Sequence, residues 1–302
     1  MIIHYLKHQV FICIVVLCLV SHGSAAISGY TKIREWNVGP DASSIALNSS
    51  GCTYIVDSDH NFIRYYDPKG NMIGKWGKEG TADGEFRNPQ GIAVDYRTDT
   101  VYVVDTNNQR IQYFNSTGSF LNKWGSLGSG NGQFYYPTGI CFSGVQLYVT
   151  DTYQNRIEYF GPEGTYIGQW GKMGDDVLEY KQPSGITYSG YPGIYIVDRN
   201  NHRIQANIFD TSGPLSTAMW GKYGSKNGQF KEITGIARDS SGQIFVADSE
   251  LNRVQIFSSK GKYLGSIDGF NRPNGIAIDS QNNVYVVNSG KNMVEVYAKS
   301  KK

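Results

Sequence analysis

The chain has 302 residues, with 28 Lys and Arg against 26 Asp and Glu, 36 Gly, 22 Tyr and 4 Cys. With 18% charged and 40% hydrophobic residues it is not a disordered chain, and four cysteines are too few for a disulfide-built scaffold. Abundant glycine beside 13% aromatic residues points to many tight turns between aromatic-rich strands.

The first 26 residues follow a different logic. Lys7 precedes an apolar run of 11 residues, Val10–Val20, and Ser24-Ala25-Ala26 offers the small residues a signal peptidase reads. The run is shorter than the roughly 20 apolar residues a spanning helix needs. Residues 1–26 are therefore expected to be a cleaved secretory signal, leaving one exported domain over 27–302 with no membrane span. Without the leader the net charge is +1, and His60, His202, Cys52 and Cys141 are the remaining histidines and cysteines.

From Ser44 onward one unit repeats. Gly91–Asp95, Val101–Asp105, Arg110–Phe114 and Phe120–Trp124 read as four short strands separated by turn residues. The same order recurs over 139–170, 185–220 and 235–267, and more weakly over 44–76. The acid or amide that ends the second strand falls at Asp57, Asp105, Asp151, Asp198, Asp248 and Asn288, which makes six copies. The sixth copy has only three strands. Its missing fourth is at the other end of the chain, where Tyr30–Trp36 matches the fourth-strand pattern. This predicts an all-β fold: a six-bladed β-propeller of four-stranded antiparallel blades, whose closing blade is shared by the N- and C-terminal segments. Closing the ring in this way removes an open sheet edge. Trp36, Trp76, Trp124, Trp170 and Trp220 each end a fourth strand, a placement expected to serve packing between blades.

The pattern Pro-x-Gly-Ile-Ala-Val-Asp, Tyr-Val-x-Asp-x-x-Asn-x-Arg-Ile and Phe-Leu-x-x-Trp-Gly resembles the NHL repeat, and the resemblance covers nearly all of residues 27–302. It implies the propeller fold. It does not choose a function, because similar repeats occur in RNA-binding and ubiquitin-ligase scaffolds, in extracellular binding domains and in a zinc-dependent amidating lyase.

The repeats differ in their connections. Four loops step 15 residues from the tryptophan to the next first strand, whereas the steps after Trp36 and Ile267 are 8. Five residues after the strand-ending acid stand Arg110, Arg156, Arg203 and Arg253 in the blades entered through long loops, but Phe62 and Met293 in the other two. The four arginines are expected to brace the long loops by reaching their carbonyls. The ring of acids is expected to cap its own turns rather than hold a metal, since one carboxylate per blade cannot converge on one ion.

No metal or other cofactor is expected. Two histidines cannot supply the three-histidine zinc shell of an amidating lyase, and neither a nucleophile elbow nor a phosphate loop is present. The alternatives are a lyase or hydrolase, with or without calcium, and an RNA-binding propeller. The second is disfavoured because the four long loops sum to zero charge. The reading that remains is a secreted, monomeric, non-enzymatic module that binds an extracellular protein, peptide or glycan through its long-loop face. The expected binding residues are Tyr136, Tyr153, Tyr180 and Arg199, with His60 and Lys291 at the low side of the rim. Asn48 and Asn115 begin glycosylation acceptors and should lie on the opposite face.

Overall fold

Each blade begins with a strand against the central axis and ends with one on the perimeter. In the first blade these are Ala42–Leu47, Thr53–Asp57, Phe62–Tyr66 and Met72–Trp76, hydrogen-bonded in chain order. Blades two to five repeat the meander over 92–124, 137–170, 183–220 and 233–268. The sixth contains Pro273–Ile278, Val284–Asn288 and Met293–Lys299, and Tyr30–Asn37 supplies its outer strand. That strand pairs antiparallel with Met293–Lys299, placing Trp36 opposite Val294, so the two ends of the chain close the ring as the repeat pattern predicts. The computed structural model describes residues 29–188, 190, 193–210 and 213–300, and the expected signal segment 1–26 lies outside them. Among the described residues no helix is long and apolar enough to cross a membrane.

The second strands are buried along their whole length, apart from Thr100 at the start of one of them, because neighbouring blades cover both of their faces. Their near-continuous apolar sequences, such as Thr53–Asp57 and Val284–Asn288, follow from that position. The tryptophans do pack between blades. The Trp76 ring lies against Phe114 of the next blade at 5.7 Å, and Trp124 against Phe160 at 5.6 Å. A β-carbon added at Gly118, in the next blade's outer turn, would come within 2.5 Å of the Trp76 ring. The innermost strands approach one another more closely still. Gly91, Gly139, Gly185, Gly235 and Gly275 each face backbone of the following blade, which leaves no room for a side chain.

Candidate functional site

The turns after the second strands and the interblade loops emerge together on one face. Each long loop folds back on itself through a short parallel bridge, Glu79 to Phe86, Leu127 to Phe134, Met173 to Tyr180 and Tyr223 to Phe230. Phe86, Phe134, Tyr180 and Phe230 are the fully buried anchors of the four loops. Tyr180 is thus no binding residue, contrary to the sequence expectation. It stands where the other loops have Phe, and its hydroxyl donates to Asn207 Oδ1 at 3.1 Å while accepting from Trp170 Nε1 at 3.2 Å. Asn207 in turn occupies the position of Phe114, Phe160 and Phe257, so one polar exchange in the core is matched by another.

The arginine braces are as the loop lengths suggest. Arg110 donates to Thr81 O, Ala82 O and Glu85 O at 2.8–2.9 Å and to Asp105 Oδ2 at 2.6 Å. Arg156 binds Ser129 O, Gly130 O and Gln133 O with Asp151, and Arg203 binds Asp175 O, Asp176 O and Glu179 O with Asp198. Arg253 reaches Ser225 O, Lys226 O and Gln229 O, but its Nε has no partner and Asp248 instead receives three backbone amides. Two further contacts were not foreseen. The residue two places after the arginine clamps the same loop, as Gln112 does by donating to Glu85 O and accepting from Gly84 N. In the first blade that position is Arg64, which pairs with Asp57 at 2.6 Å and donates to Val38 O in the short loop 37–43. The acids tie down the incoming loop: Asp105 accepts from Arg87 N, Asp151 from Tyr135 N and Asp198 from Lys181 N. The turn that follows is held as well, by its backbone at Asp57 and Asp248, through His60 N and Leu251 N, and by its side-chain amides at Asp105 and Asp198, through Asn108 and Asn201.

Glu158 takes the clamp position in the third blade, where the second, fourth and fifth have Gln112, Gln205 and Gln255. It is fully buried, with Gly132 N at 2.8 Å and Arg156 Nη2 at 2.7 Å. Asp151 and Glu158 therefore share one arginine in a dry site. Burial pushes the Asp151 carboxyl up to about 7, and burial raises Glu158 as well. A buried acid raised above its unfolded value holds its proton in the fold, so its stabilising effect is present at low pH and fades as pH rises from about 4 towards about 7. Glu158→Gln, which restores the amide of the other blades, is expected to raise stability at pH 7.5 by about 1–2 kcal/mol and to flatten the decline between pH 5 and 7.5. Urea midpoints at the two pH values measure this, and a Gln variant less stable than the parent at pH 7.5 would refute it.

On the loop surface Tyr136 and Tyr153 stack at 4.6 Å and 11°, with Tyr135 edge-on to Tyr153 at 5.3 Å. Tyr136 adopts φ 62°, and its amide donates to Gln109 Oε1 of the preceding blade, which fixes the ring from its backbone. A groove of about 280 Å³ runs between the third and fourth blades, lined by Tyr135, Tyr153, Asn155, Met173, Lys181 and Gln182. His60 and Lys291 do lie beside the short loops, but as tethers. His60 Nδ1 is 2.9 Å from Asp57 and 3.8 Å from Asp41, and Lys291 Nζ donates to Gly269 O at 3.0 Å. His60, Asp41 and Asp57 form the one cluster among the described residues with metal-ligand spacing. Asp57 already holds Arg64 and His60 N, so its oxygens are spent on the fold.

The axial channel opens on the same face as a cavity of about 250 Å³. Ser43, Gln90, Thr138, Ser184, Thr234 and Asn274 form an upper polar ring, the five glycines and Ser44 the next, and Ile45, Ile92, Ile140, Ile186, Ile236 and Ile276 the floor. Arg199 stands over this mouth and pairs with Glu232 of the next blade, Nε to Oε1 at 2.9 Å. Asn48 and Asn115 sit in turns on the opposite face, Asn115 exposed and Asn48 partly covered.

The sequence profile of the NHL repeat matches residues 86–114, 230–257 and 270–297, three of the strand sets that form the ring. The chain is an NHL-repeat propeller. No curated protein matches it. The NHL propeller is similar in structure to a streptogramin B lyase, with TM-score 0.61 and 14% identity over 89% of this chain and 97% of that one. It is also similar to virginiamycin B lyase from Staphylococcus aureus bound to quinupristin, with TM-score 0.60 and 16% identity over 87% and 82%. A gluconolactonase from Xanthomonas campestris gives TM-score 0.67 and 13% identity over 87% and 89%. At such identities the likeness is one of fold alone.

Proposed function

We propose that this propeller is a secreted, non-enzymatic module that holds a protein or peptide chain on its long-loop face. The observation that carries the reading is the tyrosine cluster of the third blade, two stacked rings and an edge-on third, on loops held rigid by buried arginines. Rigid aromatic anchors beside adaptable amides are the composition that binding surfaces favour, since little conformational freedom is lost on contact. Leu127, Met173 and Val177 expose 66%, 71% and 56% of their surface on the same long loops. Aliphatic side chains held out in water favour burial against a protein over a sugar. Export rests on the leader pattern at residues 1–26.

Tyr153→Ala is expected to weaken capture of the partner by about 2 kcal/mol, near thirtyfold, whereas Lys69→Ala on the opposite face leaves it unchanged. The measurement is affinity purification from the surrounding medium with residues 27–302 as bait, followed by titration of the isolated partner with each variant. Undiminished binding by Tyr153→Ala, loss with Lys69→Ala, or binding only to a glycan array would overturn the proposal.

A further inference from the structure

The junction between the fourth and fifth blades breaks rules that the rest of the ring keeps. The residue after the strand-ending acid is Ser58, Thr106, Thr152, Ser249 or Ser289, but Arg199 in the fourth blade. Where it is small it can meet the first strand, as when Ser43 Oγ lies 2.6 Å from Ser58 Oγ and Thr138 Oγ1 lies 2.7 Å from Thr152 Oγ1. Ser184 is the corresponding first-strand residue of the fourth blade, and its buried hydroxyl has no partner. Three residues further on, an amide at Asn61, Gln109, Asn155 and Asn252 accepts the backbone N–H of Asn88, Tyr136, Gln182 and Arg272 in the next blade. The fourth blade has His202 there, with Nδ1 buried and unpaired. The next blade has Glu232, which lacks the positive φ of the other four residues. Departures from a repeat that gather at one place mark a site the fold does not require.

Arg199 and Ser184 line the axial cavity and Glu232 meets its mouth through Arg199, whereas His202 packs against Tyr223 at 5.0 Å and is not part of the lining. Among the described residues Arg199 is the only charged side chain lining the cavity. Glu232 approaches the guanidinium through a single oxygen at Nε and Nη2, so Nη1 has no partner among the described residues. Ser184, Asn274 and the isoleucines line the same cavity. We infer that the axial cavity binds a small carboxylate carrying a hydroxyl or amide group, with Arg199 Nη1 holding the carboxylate and Ser184 and Asn274 reading the polar substituent. A charge-assisted bond is the strongest single contact the cavity can make, and the ligand's carboxylate would share the guanidinium with Glu232, which occupies only the Nε and Nη2 side. A volume of about 250 Å³ suits a compact organic acid rather than a polymer. Arg199 also ties the fifth blade to the fourth where the usual amide bond is missing, and the ligand would add to that tie rather than break it.

Calorimetric titration of the mature chain with lactate and malate, and with neutral lactamide as control, tests the inference. Saturable binding of at least one acid in the millimolar range or tighter is expected, with lactamide binding at least about tenfold more weakly. Arg199→Gln should weaken binding at least about tenfold in a chain that still folds, with a modest fall in melting temperature from the lost Glu232 pair, Arg199→Lys should retain part of the binding, and Ser184→Ala should weaken it severalfold. Where Arg199→Gln fails to fold, Arg199→Lys and Ser184→Ala carry the test. No saturable binding of either acid up to tens of millimolar, lactamide bound as well as lactate, or variants that bind like the parent would overturn it. Tyr153→Ala should leave acid binding intact, so this outcome is separate from partner capture on the loops.

Discussion

Arg110→Ala is expected to destabilise the propeller by about 3–5 kcal/mol, and Arg253→Ala by no more than about 1–2. Arg110 is nearly inaccessible, and its guanidinium both neutralises the fully buried Asp105 and donates to three carbonyls of loop 77–90. Its removal leaves a buried carboxylate without a counter-charge. Gln112, Asn108 and the amide of Arg87 would still donate to Asp105, which places the cost within the range for a broken buried pair rather than beyond it. Burial already raises the Asp105 carboxyl, and without Arg110 it would rise further. The variant should therefore recover part of its loss when pH falls from 7.5 to 5, because the folded state then takes up a proton that the unfolded chain does not hold. Arg253 makes no bond to Asp248 through Nε, is partly exposed, and leaves loop carbonyls that water can reach. Chemical denaturation of both variants at the two pH values measures the difference. Equal losses would show that the carbonyl contacts, not the buried pair, hold the loops.

The ring, the shared closing blade and the four long loops were legible because each depends on spacing alone, and spacing survives changes of side chain. The braces were legible for the same reason, since Arg110, Arg156, Arg203 and Arg253 recur with loop length. Tyr180 was misread because its loop lacks the Gly-x-Phe pattern. Counting from the tryptophan would have placed it, since Phe86, Phe134, Tyr180 and Phe230 are each ten residues on. Its partner Asn207 could have been found likewise, as a polar residue at a position held by Phe in three other blades. Arg64 was missed because the register, not the residue type, shows that it stands at the Gln112 position. The Tyr136 and Tyr153 stack was beyond the sequence: it depends on a left-handed backbone at Tyr136 and on how two blades are rotated about the axis. The unpaired Ser184 hydroxyl is likewise visible only once the ring is assembled.

Gly139→Ala is expected to cost about 3 kcal/mol or more, although its backbone lies in a region any residue can adopt. A β-carbon at Gly139 would be 1.9 Å from Ser184 O and 2.9 Å from Thr150 Oγ1. Thr150 can turn, but Ser184 O belongs to the inner strand of the next blade, whose position is fixed by every other blade in the closed ring. Relief would require widening the ring at one junction, which loosens the dense packing between the third and fourth blades. The cost should follow the distance: Gly235→Ala, at 2.2 Å from Asn274 O, and Gly91→Ala, at 2.3 Å from Thr138 O, should be nearly as severe, and Gly185→Ala, at 3.0 Å from Thr234 O, clearly milder. Gly265→Ala, with open space around it in an outer strand, should change stability by less than about 0.5 kcal/mol. Melting temperatures of the five variants give the ranking. If Gly139→Ala and Gly265→Ala melt alike, the inner strands are free to move apart, and the tight central contact is not what fixes the width of the axial cavity.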